Sequence, residues 1–180
     1  MSAAALLVID IQRGAFDGVR CPPIDGGSDL IQRAADLVAA ARACRTPVIF
    51  VQHCAGENKV LEEGTTHWEF HEALKPEPQD LVVKKYESSA FENTQLQPML
   101  RGLSITEVVV CGLQSELCVF NTSLSALRLG YVVRIAQDGH STWPTQGKSS
   151  AVISAEVNAK LLQEGAVLEP TASLVKRMGR

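Results

Sequence analysis

The feature that most constrains this chain is an alternation of short, nearly continuous apolar runs with longer stretches of helical periodicity. The runs lie at 5–9, 47–52, 81–84, 107–111, 132–136 and 166–168, and most are rich in Val and Ile. A strand wetted on one side alternates apolar with polar residues. A continuous run predicts a strand covered on both faces. Between the runs, 28–45 gathers Leu30, Ile31, Ala34, Leu37, Val38 and Ala41 on one face, with Ser28 or Asp29 as the cap. Helices are also predicted at 94–100, 116–129, 147–164 and 171–178, the second and third ending at Gly130 and Gly165. Strands alternating with helices predict an α/β fold: a doubly wound, mostly parallel six-stranded sheet with helices on both faces. No linker, repeat or low-complexity tract interrupts 1–180, so one domain is expected. In such sheets sites form at the carboxyl edge of the strands. The segment 54–80, with His67, Trp68 and His71, has weak periodicity and is expected to be a long pocket-shaping excursion.

Composition narrows the function classes. A net charge of -3 without a Lys/Arg-rich run gives no footprint for nucleic acid. No apolar stretch reaches the roughly 18–20 residues of a membrane span. The first twelve residues lack the positive region of an export signal and are expected to hold the first strand, which makes a cytoplasmic location the expectation. The five cysteines are odd in number and contain no C-x-x-C pair. Neither a disulfide framework nor a structural zinc site is expected.

Three strand ends carry candidate chemistry. The first run ends in Asp10, which fits a turn residue or a buried carboxylate ready to accept a proton. The third ends in Lys84 and Lys85, followed by SSAF, whose small residues suggest a packed turn. The fourth leads through Gly112 to Cys118 near a helix start, with Ser115 as the expected cap. There the helix N-terminus would favour the thiolate, and its free amides could hold an oxyanion. Cys111 and Cys44 are better explained by packing, and Cys21 and Cys54 lie in loops without a supporting pattern.

With LLVIDIQRGAF at 6–16, VIFVQH at 48–53, DLVVKKYESSAFENTQL at 80–96, VVVCGLQSELCVFNTSLSALRLGYVV at 108–133 and QDGHSTW at 137–143, the chain resembles the isochorismatase-like cysteine hydrolases. That family includes nicotinamidases, carbamoylsarcosine amidases and isochorismatases. The resemblance implies a catalytic set of Asp10, Lys85 and Cys118. Lys85 is chosen because it lies six residues before the Phe of SAF; neighbouring strand residues face opposite ways, so Lys84 is the alternative. It also implies a cis peptide before Gln114, with the amides of Gln114 and Cys118 as the oxyanion hole. Phe16, His53, Trp68, Phe91 and Gln114 are the expected pocket residues. The reaction implied is cleavage of a small amide or carbamoyl C–N bond through a thioester. The alternatives are vinyl-ether hydrolysis and a silent binding module. A D-x-H metal motif is absent: QHCAGEN places His53 where the Asp would stand, and His67 and His71 lie in HWEFH rather than HEXXH. No metal or cofactor is expected, only a small-molecule substrate, and the resemblance implies a homodimer or homotetramer.

Overall fold

A computed structural model describes residues 3–178. Six strands run in the order β3-β2-β1-β4-β5-β6: β1 (Ala4–Ile9), β2 (Val48–His53), β3 (Leu81–Lys85), β4 (Glu107–Leu113), β5 (Val132–Ser141) and β6 (Val167–Glu169). Every neighbouring pair is parallel. The helices are α1 (Gly27–Ala43), α2 (Leu96–Gly102), α3 (Phe120–Arg128), α4 (Ser150–Gln163) and α5 (Thr171–Met178).

β1 shows why the apolar runs are continuous. Ala5, Leu7 and Ile9 join a core with Leu96 and Leu100 of α2, Ala126 of α3 and Ile153, Val157 and Leu161 of α4. Leu6 and Val8 point the other way, into a core with Ala34, Leu37, Val38 and Ala41 of α1 and Leu174 of α5. Both faces exclude water, so a period of two carries no polarity. The strand order reverses direction between β1 and β4, and a crevice opens at their carboxyl ends.

Three elements depart from the sequence expectation. α1 is preceded by Gly26 in the left-handed conformation at its N-cap, and neither Ser28 nor Asp29 caps it. β5 continues five residues beyond the apolar run. Its polar end is satisfied by partners the sequence does not display: Asp138 Oδ1 accepts from the Thr171 amide and hydroxyl at the start of α5, both at 2.8 Å. The segment expected as one helix over 116–129 begins as a π-helical turn, Ser115–Val119, before α3.

β1 and β4 touch backbone to backbone at one point. Gly112 has φ 126°, and a Cβ there would lie 2.0 Å from the Ile9 carbonyl oxygen. No side chain fits, and neither strand can retreat without breaking its pairing. Gly112→Ala is expected to destabilise the chain by at least about 3 kcal/mol, measured by urea unfolding of both proteins.

Candidate active site

Four adjacent strand ends supply the site. After β1 the chain turns sharply at Asp10, which has φ 53°, a conformation Asp tolerates better than most residues. Its amide donates to the Val51 carbonyl at 3.0 Å, which keeps the turn on the sheet edge. The Asp10 carboxylate is 4 % exposed.

Lys85 and Lys84 end β3 with opposite orientations. Lys84 Nζ points outward, 2.8 Å from Glu63 Oε1 and over the Trp68 ring. Lys85 is 0 % exposed. Its Nζ lies 2.8 Å from Asp10 Oδ2 and 3.1 Å from each of Cys118 Sγ, His53 Nδ1 and the Glu87 carbonyl. The 88–91 turn that follows is fastened to α3: Ser89 Oγ donates to Ser125 Oγ at 2.8 Å, and the Ala90 amide donates to Thr122 Oγ1 at 2.9 Å. Burial acts against the Lys85 charge, but Asp10 and then Cys118 more than offset it, holding its pKa above the ordinary lysine value.

Cys118 sits in the π turn. The Gln114 carbonyl accepts from the amides of Leu117 at 3.2 Å and Val119 at 3.1 Å, so the turn is wider than an α-helix. The Leu113–Gln114 peptide is cis. Ser115 is fully buried and does not cap the turn. Its hydroxyl lies 2.7 Å from His140 Nδ1 and 2.9 Å from Ser154 Oγ. Asn158 donates from Nδ2 to the Gln137 carbonyl, so its Oδ1, 3.0 Å from His140 Nε2, must accept. The His140 proton is therefore on Nε2, Ser115 donates to Nδ1, and Ser154 donates to Ser115. This directed chain fastens the π turn to β5 and α4.

The thiolate expectation needs correction. Burial pushes the Cys118 thiol up to about 11, the adjacent Asp10 carboxylate adds to the rise, and Lys85 only partly opposes it. Regular helix starts at Phe120, beyond the cysteine. In the resting site the proton stays on sulfur. Asp10 Oδ1 is buried without a hydrogen-bond partner among the described residues and is the acceptor available for it.

The centre opens into a cavity of about 270 Å³ lined by Asp10, Ala15, His53, Leu61, Ser88, Leu113, Gln114, Leu117, Cys118 and Trp143. Of the pocket residues expected from sequence, His53 and Gln114 are in this wall. Phe16, Trp68 and Phe91 are not. Phe16 stacks edge-on against His71 at 5.0 Å. Trp68 lies under Lys84, and its carbonyl accepts from Gln12 Nε2 at 2.7 Å and Gln52 Nε2 at 3.0 Å. Phe91 packs beside Tyr131 on the helical core. His67 and His71 lie on no common helix, and His67 Nδ1 pairs with Asp17 Oδ2 at 2.5 Å. Among the described residues no three His, Cys, Asp or Glu side chains group as metal ligands.

The family model for the isochorismatase domain matches residues 4–168. The chain belongs to the isochorismatase family. It is 34 % identical over 139 residues to a streptothricin hydrolase of Streptomyces noursei, covering 77 % of this chain and 50 % of that protein. The chain thus spans about half the length of that relative. It is 27 % identical to a ureidoacrylate amidohydrolase of Azorhizobium caulinodans, over 84 % of this chain and 82 % of that one. A solved isochorismatase structure from Pseudomonas putida superposes with a TM-score of 0.88 at 27 % identity, covering 95 % and 89 % of the two chains. Within this family frame, sequence reading missed Ala15, Leu61, Ser88, Leu113, Leu117 and Trp143 as wall residues. Trp143 had a usable signal in QDGHSTW. With β5 ended at 136 it falls seven residues past the strand; with β5 ending at Ser141 it stands at the sheet's carboxyl edge.

The charges around the thiol predict opposite effects of two substitutions. Asp10→Asn removes a group that raises the Cys118 pKa, and Lys85→Met removes one that lowers it. The pH at which iodoacetamide alkylation of Cys118 is half-maximal is expected to fall in the first variant and rise in the second. Alkylation rate against pH, read by peptide mass spectrometry, checks both.

Proposed function

We propose that this chain is a cysteine hydrolase that cleaves a small amide or carbamoyl C–N bond. The observation that carries the reading is the position of Lys85 Nζ, in contact with both the Asp10 carboxylate and the Cys118 sulfur beside the cavity. The family relationship and the two relatives named as a streptothricin hydrolase and a ureidoacrylate amidohydrolase support it.

Asp10 takes the thiol proton as Cys118 Sγ forms a bond to the substrate carbonyl carbon. This transfer leaves the net charge of the buried cluster unchanged: carboxylate becomes acid as thiol becomes thiolate, while Lys85 stays cationic. The ammonium loses its Asp10 partner and gains the sulfur, already 3.1 Å away. The carbonyl oxygen becomes an oxyanion, and the amides of Gln114 and Cys118 are the assigned donors. The Gln114 N–H pairs with no backbone carbonyl of the chain among the described residues, which leaves it free for that role. When the C–N bond breaks, Asp10 returns its proton to the departing nitrogen. Asp10 then takes a proton from water, whose oxygen attacks the thioester. The acid leaves, and the proton goes back to sulfur.

Release of ammonia from a panel of small carboxamides, ureas and carbamoyl compounds tests the reading. Turnover of at least one compound is expected, falling by about 1,000-fold or more in Cys118→Ala. Turnover that survives in Cys118→Ala but is lost in Asp10→Ala would mean water addition without a thioester and would sink the amidase assignment.

A further inference from the structure

His53 contacts the catalytic cluster and the cavity at once, and the scheme above gives it no part. It ends β2 directly opposite Lys85 in the parallel register. Its backbone is clamped by Gln12, which is fully buried: the His53 amide donates to Gln12 Oε1 at 2.9 Å, and Gln12 Nε2 donates to the His53 carbonyl at 3.0 Å. The imidazole is therefore held at a fixed height on the sheet edge.

A lysine ammonium can only donate. With Lys85 Nζ 3.1 Å from Nδ1, that nitrogen must be the acceptor, and the single ring proton of neutral His53 is on Nε2. His53 lines the cavity, so this N–H is left for what the cavity holds. Burial first, and Lys85 next, lower the His53 pKa and keep the ring neutral. The remaining wall has no Arg or Lys side chain. Lys85 is not in that wall and is already neutralised by Asp10. A carboxylate entering this space would shed water beside the Asp10 carboxylate without meeting a counter-charge. A neutral carbonyl brings no charge to desolvate and can accept from the His53 donor.

We propose that His53 is a substrate-facing hydrogen-bond donor whose tautomer Lys85 sets, and that the cavity takes uncharged carboxamide, lactam or urea groups and rejects a carboxylate next to the reacting carbon. The proposal deepens the hydrolase reading and rests on it for the identity of the reacting group. The donor geometry stands without it.

The test uses two alkylating reagents of one size, neutral iodoacetamide and anionic iodoacetate, on the whole protein at one pH. Labelling of Cys118 is compared with that of Cys44, which is exposed and serves as the internal reference. Relative to Cys44, Cys118 is expected to prefer the amide over the acid by about tenfold or more. The His53 hydrogen bond is read with 1-iodopropane, a neutral reagent without a carbonyl. Relative to Cys44, Cys118 is expected to favour iodoacetamide over it. His53→Gln, which keeps an acceptor for Lys85 and a donor for the cavity, is expected to retain that carbonyl preference. His53→Leu is expected to lose threefold or more of it, about the worth of one hydrogen bond. An equal or reversed preference in the wild type overturns the anion exclusion, with no variant needed. A folded His53→Leu protein, checked by circular dichroism, with an unchanged preference for iodoacetamide over 1-iodopropane overturns the role of His53. Because labelling requires no turnover, these outcomes are independent of whether the amide panel succeeds.

Discussion

An ammonium group fully withdrawn from water costs several kcal/mol unless charge and hydrogen bonds replace its hydration, and the site is organised around meeting that demand at Lys85. Its three protons face four acceptors: Asp10, Cys118, His53 and the Glu87 carbonyl. Each comes from a different stretch of chain, so β1, β2, β3, the turn after β3 and the π turn must all arrive together. The sheet makes this possible by placing β3, β2, β1 and β4 side by side with their carboxyl ends level. The docked 88–91 turn and the Gln12 clamp then hold the ends of β3 and β2 where the cation needs them. The same cation that makes the cluster expensive to bury allows a proton to move between sulfur and carboxylate without a change in net charge.

Much of this was legible from residues alone, for identifiable reasons. Doubly covered strands leave continuous apolar runs, and the six runs named the six strands. Asp10 stood out as the first charge after such a run. Strand neighbours face opposite ways, so only one of Lys84 and Lys85 could enter the site, and the family resemblance, through its spacing to the Phe of SAF, pointed to Lys85. What stayed hidden depends on contacts distant in sequence. The polar end of β5 has no apolar signature; it is stabilised by Thr171 for Asp138 and by Ser115 and Asn158 for His140. Missing that extension also hid Trp143 from the cavity wall. Aromatic type proved a poor guide to the pocket: Phe16, Trp68 and Phe91 pack elsewhere, against His71, Lys84 and Tyr131, while small and aliphatic residues form much of its surface.

The protonation state of Cys118 departs from the sequence expectation for a related reason. A helix dipole acts over the first turn of regular helix, and the sequence gives no sign that a π turn intervenes. Burial and the nearby carboxylate then dominate, so the thiol waits protonated. A protonated sulfur is guarded against oxidants that attack thiolates, and under the proposed mechanism its reactivity comes from the Asp10 carboxylate beside it.

The close approach of Gly112 to Ile9 has a consequence for how this sheet can drift in evolution. Asp10 follows Ile9 by one residue, and Gln114 follows Gly112 by two. The gap between Asp10 and Gln114 is therefore gauged by backbone atoms in contact, not by the bulk of packed side chains. Leu, Ile and Val in the two cores can exchange volumes with one another while this spacing persists. The layers above and below the sheet can thus repack while the spacing of Asp10 and Gln114 is kept by one missing methyl group.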